Sequence, residues 1–337
     1  MDKDDPMIDF TTDYLGLTLP NPLIVGASPL ADDLSLARRF EDSGAAAIVM
    51  RSLFAEQISA EALARHRAVD PHVFAHVEAG SYLPDPEEYA LGPQEYLSHV
   101  RRLKETLSIP VIASLNGDTP GRWMEYALLI EQAGADALEL NIYGVPSRVD
   151  EDAGAVEQRI CGIVEEVHRH VQLPLSVKLS AGFTAPLNFG AQLSEAGADG
   201  LVIFNRFYEP DIDVDALESV PRLLLSSSAE LLPRLRWLAM MSAELPCSLA
   251  VTGGVHTVPD AIKSIMCGAH AVQMVSALLR HGPAHVASII HGMSEWLVEH
   301  EYRSLDQLRG SMNARRCPDP SALTRGNYIH TLQSWGA

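Results

Sequence analysis

Cysteine is scarce in the 337-residue sequence, and its spacing argues against the usual uses of clustered thiols. The four cysteines lie far apart and form no CxxC pair: Cys161, Cys247, Cys267 and Cys317. Zinc sites and disulfide frameworks need closer or more regular spacing. We therefore predict no metal site of this kind and a reducing, cytoplasmic location.

Long apolar runs and excess positive charge are also missing. No uncharged segment approaches the ~20 residues of a membrane-spanning helix, and residues 1–9 are too polar for a signal peptide. The chain has 25 Lys and Arg against 44 Asp and Glu, a net charge of −19 at pH 7. A nucleic-acid groove needs a positive charge, so we expect no nucleic-acid partner. The lack of a spanning segment leads us to expect no membrane partner either.

Grouped nucleophiles and paired acids are the third absence. Serine, cysteine and histidine do not form a triad-like group, and no carboxylate pair has glycosidase-like spacing. The irregular stretch 53–92 carries His66, His72 and His76, which we interpret as surface residues rather than metal ligands. A stretch this long without a regular pattern usually forms a functional cover.

What the sequence does contain is a recurring unit of helix, small-residue turn and buried strand. Four segments carry it: SGAAAIVMRS (43–52), AGADALELN (133–141), AGADGLVIFN (196–205) and CGAHAVQMVS (267–276). Glycine with a positive φ ends each helix, and strands that are apolar on both faces belong to a parallel sheet covered by helices. Four strands that follow prolines alternate with these, at 22–27, 110–115, 174–179 and 246–251. Eight such strands predict an α/β fold, the (β/α)8 TIM barrel.

The other segments are expected to surround this barrel within a single domain, 1–337. Residues 1–20 predict an N-terminal β-hairpin that plugs the barrel floor. The stretches 53–92 and 206–221 are predicted excursions over the C-terminal face of the barrel. Residues 282–337 predict one more helix, to about His300, and a short polar tail.

Residues 250–279 read as two strand–turn–helix units in succession. Gly253 and Gly254 follow the first strand, and a helix is predicted to begin near Pro259, because proline suits a first helical turn. Val275 and Ser276 follow the second strand. Backbone N–H groups at such turns can cradle an anion, and barrels commonly bind phosphate after their last two strands. The alternative for the two glycines is a plain turn.

Polar residues at the other strand ends point to the same face. Lys178 lies within an otherwise apolar strand, where burial without a partner is costly. It therefore meets either an anionic ligand, which we favour, or a structural carboxylate. Residues 226–228 are three serines that suit the N-cap of the next helix.

Five segments at successive strand ends resemble the dihydroorotate dehydrogenases, which are barrels that hold FMN at the mouth. The segments are NPLIVGASPL (21–30), ELN (139–141), VKL (177–179), FNRFYEPDID (204–213) and TGGV…MVSALL (252–279). They fall in order and span nearly the whole chain. The resemblance implies an FMN-dependent oxidoreductase that acts on a CH–CH group by hydride transfer, and it suggests a homodimer.

The resemblance also implies roles for individual residues. Ala27 and Ser28 would lie beside the flavin ring, and Asn141 near its reactive face. Lys178 would stabilise the negative charge of reduced flavin. Further cofactor contacts are implied for Ser114, Asn205, Ser227, Gly253, Gly254, Val275 and Ser276, the last four at the phosphate.

The substrate side departs from the family pattern. The family's loop after the asparagine carries a cysteine or serine as base and then an asparagine for orotate, where this chain has Gly144 and Pro146. The family's lysine after the second strand is Arg51, which keeps its proton and is expected to hold an anionic substrate. Tyr143 supplies the nearest hydroxyl, although a phenol is a weak base at neutral pH and its ring could instead pack over the flavin.

These observations support three hypotheses. The first is an FMN-dependent oxidoreductase with Lys178 and Tyr143 as catalytic residues. Its small substrate would be held near Arg51, Tyr143 and Asn205, and its electron acceptor is unknown. Dihydroorotate fits this substrate side poorly. The second is a flavin-binding protein that has lost catalysis. The third is a flavin-free, phosphate-binding isomerase or aldolase with Lys178 as an amine nucleophile.

Overall fold

Eight parallel strands form a closed barrel in the computed structural model, which describes residues 8–58, 92–117, 121, 123–206 and 209–334. A hairpin comes first, β1 (Thr12–Tyr14) and β2 (Leu17–Leu19). The barrel strands follow as β3 (Leu23–Val25), β4 (Ala47–Phe54), β5 (Val111–Asn116), β6 (Ala137–Asn141), β7 (Leu175–Leu179) and β8 (Gly200–Ile203). After a second hairpin, β9 (Asp211–Asp213) and β10 (Glu218–Val220), the barrel is completed by β11 (Ser248–Thr252) and β12 (Ala271–Met274). Because β12 pairs with β3, the ring closes, and the predicted (β/α)8 barrel is confirmed.

Helices cover the outside of the barrel and connect its strands. They span Leu34–Asp42, Pro93–Thr106, Trp123–Gln132, Ala153–His170, Pro186–Glu195, Leu231–Glu244, Val258–Met266, Ser276–His281, Ala284–Glu299, Leu305–Leu308 and Gly326–Ser334. Each long helix turns one apolar stripe inward; in Ala153–His170 the stripe includes Val156, Ile160 and Ile163, all buried. No helix in the described ranges combines the length and the apolar composition of a membrane-spanning segment.

The glycine turns that precede alternate strands have the predicted conformation. The four glycines before β4, β6, β8 and β12 all have a positive φ, from +93° to +110°: Gly44, Gly134, Gly197 and Gly268. An L-residue with a side chain rarely adopts this conformation. Glycine therefore ends the helix and turns the chain into the buried strand.

The N-terminal hairpin closes the barrel floor, as predicted. Tyr14, Leu15 and Leu19 are buried in a cluster with residues of the barrel interior such as Ile24 and Val202. The Leu15 N–H also donates to the Ser248 hydroxyl at 3.1 Å. With this end of the barrel filled by side chains, ligand chemistry is confined to the opposite, C-terminal face.

Of the two predicted excursions, only the one at 206–221 lies mostly within the described residues. Most of 53–92, including His66, His72 and His76, lies outside the described residues, and β4 extends to Phe54, into the predicted start of this stretch. The excursion at 206–221 contains the antiparallel hairpin β9–β10, which the sequence did not predict.

The C-terminal tail is more structured than the predicted polar segment. The expected helix is present as Ala284–Glu299, and the shorter helices Leu305–Leu308 and Gly326–Ser334 follow it. The chain between them returns to the barrel wall, where the Met312 N–H donates to the Met266 carbonyl at 2.8 Å. This backbone hydrogen bond to a distant helix end helps to order the tail. The polar composition of the tail does not predict such a contact.

Candidate active site

A cavity of about 620 Å³ opens at the carboxyl ends of the strands. It is formed by residues that follow β3, β8, β10, β11 and β12 and by three residues within strands, Lys178 of β7, Thr252 of β11 and Gln273 of β12. Eight of the predicted cofactor residues line it: Ala27, Ser28, Lys178, Asn205, Gly253, Gly254, Val275 and Ser276. Its size is typical of a small-molecule or cofactor site.

The charged side chains that line this cavity are all basic. Lys178, Arg206 and Arg222 lie in its wall, and no carboxylate does among the described residues. This is the reverse of the whole chain, whose net charge is −19. Each cation is also paired with a carboxylate, namely Glu139, Glu230 and Asp211 respectively. The charged groups that line the cavity are therefore basic, and their carboxylate partners behind them hold them in place and offset part of their charge.

The Gly253–Gly254 turn has the conformation that the glycine pair predicted. The two φ angles are +81° and +86°, and a Cβ on Gly254 would lie only 2.5 Å from the backbone nitrogen of Leu231. Arg234 braces the turn, since its Nε donates to the Thr252 carbonyl at 2.6 Å. Burial lowers the pKa of this guanidinium from its ordinary value. The turn is thus packed against a buried cation, which adds to its suitability for an anion.

The helix predicted near Pro259 spans Val258–Met266 and has Thr257 as its N-cap. The Thr257 hydroxyl accepts from the Asp260 N–H at 3.4 Å. Proline occupies the first turn, where no hydrogen bond is lost. This prediction is confirmed, and the helix carries the chain away from the glycine turn.

Of the three serines at 226–228, Ser226 and not Ser227 lines the cavity. The Ser226 N–H donates to the Ser276 hydroxyl at 3.1 Å, and its own hydroxyl lies 3.0 Å from His256 Nε2. Burial lowers the pKa of His256. Ser227 instead caps the short helical turn Ser228–Glu230. Because residues 226–228 are all serine, the sequence alone could not show which of them faces the cavity and which caps the helical turn.

Lys178 has both of the partners considered from the sequence: it lines the cavity, and it forms a buried ion pair. Its Nζ lies 3.3 Å from Glu139 Oε1. Gln273 Nε2 donates to the other oxygen of Glu139 at 2.7 Å. All three side chains are nearly inaccessible to solvent. The sequence analysis did not identify Glu139 and Gln273 as site residues. The position of Glu139 in a buried strand could have indicated a functional role, because glutamate is almost never fully buried without a partner.

Polar side chains at neighbouring strand ends form one connected network. Asn205 Nδ2 donates to Asn141 Oδ1 at 2.6 Å, and Asn141 Nδ2 donates to the Ser52 hydroxyl at 3.0 Å. The Ser52 and Ser114 hydroxyls are 2.8 Å apart. The predicted residues Ser114 and Asn141 thus connect to the cavity through Asn205, although they do not line it themselves.

Of the three predicted substrate residues, Asn205 lines this cavity, whereas Arg51 and Tyr143 do not. Arg51 is held by a bidentate ion pair with Asp32, which uses two of its five N–H donors. Tyr143 is half-buried in the loop after β6, where its N–H donates to the Asn141 carbonyl at 3.0 Å. Gly144 and Pro146 line a second cavity of about 480 Å³. The positions that carry the family's base and orotate asparagine therefore have no side chain able to perform those roles.

Comparison with known proteins is consistent with this geometry. Residues 10–297 match the family profile described as dihydroorotate dehydrogenase. The putative dihydroorotate dehydrogenase A (fumarate) of Aeropyrum pernix is 29% identical over 304 residues, which cover 88% of this chain and 94% of that protein. The dihydroorotate dehydrogenase B (NAD(+)) catalytic subunit of Pyrococcus abyssi is 28% identical over 315 residues, 88% of this chain and 96% of that protein. The NAD-dependent dihydropyrimidine dehydrogenase subunit PreA of Escherichia coli K12 is 24% identical over 332 residues, 92% of this chain and 78% of that protein.

The family match spans the barrel from the N-terminal hairpin to the helix Ala284–Glu299. It includes every strand end that contributes to the 620 Å³ cavity. The chain therefore belongs to the dihydroorotate dehydrogenase family.

Proposed function

We propose that this protein is an FMN-dependent oxidoreductase that transfers hydride between the flavin and a small anionic substrate. The observation that carries the proposal is the cavity at the barrel mouth, which brings together Lys178 and the Gly253–Gly254 turn. These are the features that a flavin ring and its phosphate require. The relatives are named as dehydrogenases of dihydroorotate or dihydropyrimidines, which supports a reaction at a CH–CH bond.

The residues present are compatible with FMN at several points. The left-handed glycine turn brings backbone close to the cavity without side chains, as a phosphate needs. Ala27 and Ser28 offer a small-residue wall for a flat ring. Gln273 also lines the cavity, and its amide nitrogen donates to the buried Glu139 carboxylate behind it.

The chain's own residues bind, orient and stabilise charge in this proposal. When bound, FMN would supply the hydride acceptor or donor. Lys178 would place a positive charge against the electron-rich ring, and the Asn141–Asn205 network would fix amide groups at its edge. Arg51 and Tyr143 would contact the substrate, and Tyr143 would be the proton donor or acceptor.

Dihydroorotate is not the substrate that this site supports best. Gly144 cannot remove a proton, and Pro146 has neither a side-chain nor a backbone N–H to donate to a carboxylate. A substrate of similar size with a different anionic group fits the unchanged cofactor side and the changed loop. The electron acceptor is left open.

An absorbance spectrum of the purified protein supplied with FMN is the experiment that tests this proposal. We expect a flavin spectrum that stays oxidised when dihydroorotate is added without oxygen. Bleaching would mean that dihydroorotate is a substrate after all and that another group acts as base. A protein that does not bind FMN would contradict the proposal itself.

A catalytically silent flavin-binding protein is the second candidate, and the missing base at Gly144 favours it. Photoreduction followed by re-oxidation with candidate acceptors separates the two candidates, since a silent protein would turn over none of them. The flavin-free isomerase or aldolase is less well supported. An amine nucleophile must be free to attack its substrate, whereas the Lys178 Nζ is paired with the Glu139 carboxylate.

We also propose that the protein is a cytoplasmic homodimer. The hairpin β9–β10 supports the dimer, because its apolar side chains Ile212, Val214 and Leu217 are exposed. Exposed apolar patches of this kind usually mark interaction surfaces.

A further inference from the structure

Glu139 is a fully buried carboxylate in the interior of the barrel, directly behind the cavity wall. It lies on β6 with 0% exposure, next to Lys178 on β7. Each carboxylate oxygen has a donor: Lys178 Nζ at 3.3 Å from Oε1, and Gln273 Nε2 at 2.7 Å from Oε2. A buried charge is tolerated only when it is paired and hydrogen-bonded in this way.

Gln273 is oriented by the same contact. A carboxylate only accepts hydrogen bonds, so the amide nitrogen of Gln273 must face Glu139 and the amide oxygen must face away. That oxygen is buried and has no partner within the described part of the chain, and Gln273 lines the cavity. The oxygen is itself inaccessible to solvent, and the buried Tyr14 hydroxyl lies close to the same amide.

We propose that Glu139 is a positioning residue that sets how strongly the site favours reduced over oxidised FMN. The inference rests on the proposed function, and it assigns Glu139 two effects. It holds the Lys178 ammonium at the cavity wall, and its negative charge offsets part of the positive charge that the flavin experiences. It also fixes the amide orientation of Gln273, a residue that lines the cavity.

The sign of the effect follows from the charges. Reduced flavin carries more negative charge than oxidised flavin, so Lys178 stabilises the reduced form and Glu139 opposes that stabilisation. Glu139→Gln removes the charge but keeps a side-chain oxygen that can accept from Lys178, so it should increase the affinity for reduced FMN relative to oxidised FMN. Removing Lys178 should change the ratio in the opposite sense. A residue with a purely structural role would weaken both forms alike.

The test measures dissociation constants of oxidised and anaerobically reduced FMN for the full chain and its variants. We expect Glu139→Gln to shift the ratio about tenfold toward the reduced form, equivalent to about 1.4 kcal/mol. Glu139→Asp withdraws the carboxylate by one methylene and should shift the ratio in the same direction by about threefold. Lys178→Met should shift it toward the oxidised form.

The matched control is Asp136→Asn, the same chemical change immediately before β6, at the other end of the barrel. Asp136 pairs with Lys104 at 2.7 Å and accepts from the Val111 N–H, also at 2.7 Å. Its replacement should lower stability and leave the flavin affinity ratio within about twofold of the wild-type ratio.

The outcomes separate this inference from the proposed function. Wild-type protein that binds neither form of FMN overturns both. If the wild-type protein binds FMN, two results overturn the inference alone. One is an unchanged affinity ratio in Glu139→Gln, and the other is a shift of that ratio in the same direction in Glu139→Gln and Lys178→Met. If Glu139→Gln does not fold, an unchanged ratio in Glu139→Asp overturns it.

Discussion

Gly254 is the residue of the candidate active site at which an added methyl group would be tolerated least. Its φ is +86°, and the added Cβ would meet backbone atoms of Leu231. We expect Gly254→Ala to lower the free energy of unfolding by about 3 kcal/mol and to weaken FMN binding, because neither segment of backbone can move aside. Urea unfolding and flavin titration measure the two effects.

Gly16→Ala is the control for the backbone conformation alone. Gly16 also has a positive φ, +72°, but nothing lies within 4 Å of the added Cβ. Its replacement should cost only about 1 kcal/mol and leave FMN binding unchanged. Equal losses in the two variants would show that close packing at Gly254 is unimportant.

His270 at the barrel floor should make stability depend on pH. Burial, and then the nearby Arg309, lowers its pKa from 6.5 to about 4. Protonation therefore favours the unfolded chain, so its contribution to stability is complete above pH 6.5 and is lost as the pH falls toward 4. The loss should reach up to about 3 kcal/mol, measured by urea unfolding at several pH values across this window.

His270→Asn tests that assignment. His270 Nδ1 accepts from the Leu249 N–H at 3.0 Å, and the asparagine Oδ1 can take the same hydrogen bond without titrating. The variant should show a flatter stability profile across this pH window. A profile as steep as that of the wild-type protein would assign the pH dependence to other groups.

At the scale of elements, the N-terminal hairpin should stabilise the barrel through one face only. Leu19 is 0% exposed in the barrel floor, whereas its neighbour Thr18 points outward. Leu19→Ala should destabilise the protein by about 3 kcal/mol through lost burial and a residual cavity. Thr18→Ala should cost less than about 0.5 kcal/mol. Thermal unfolding of the two variants compares the faces, and similar losses would contradict the floor-plug role.

The helices and strands were also the features that the sequence predicted best. All eight barrel strands, the first hairpin and the helix beginning near Pro259 were anticipated, because periodicity, glycine and proline act locally. The hairpin β9–β10 was missed although residues 211–216 (DIDVDA) alternate acidic and apolar side chains, because its strands are only three residues long and lie in an acidic, proline-containing stretch typical of a loop. The helical tail was missed because distant backbone contacts order it.

At the scale of the whole molecule, the exposed hairpin should control association. Ile212 and Val214 are 69% and 76% exposed. We expect the wild-type protein to sediment as a dimer and Ile212→Asp to sediment as a monomer, because an interface core excludes an unpaired charge. Val149→Asp, at a fully exposed valine outside the hairpin, is the control and should remain dimeric. A monomeric wild-type protein would contradict the dimer proposal.

The sequence by itself determined the barrel, its glycine turns and the identity of most cavity residues. These depend on local conformation and on strand order, and the carboxyl ends of parallel strands must meet at one face. The tertiary structure alone decided which partners those residues have. Glu139 and Gln273 are 134 positions apart, Arg51 pairs with Asp32, and Ser226 replaces Ser227 at the cavity. Such contacts depend on the register of the closed barrel and on loop paths, which no local pattern encodes.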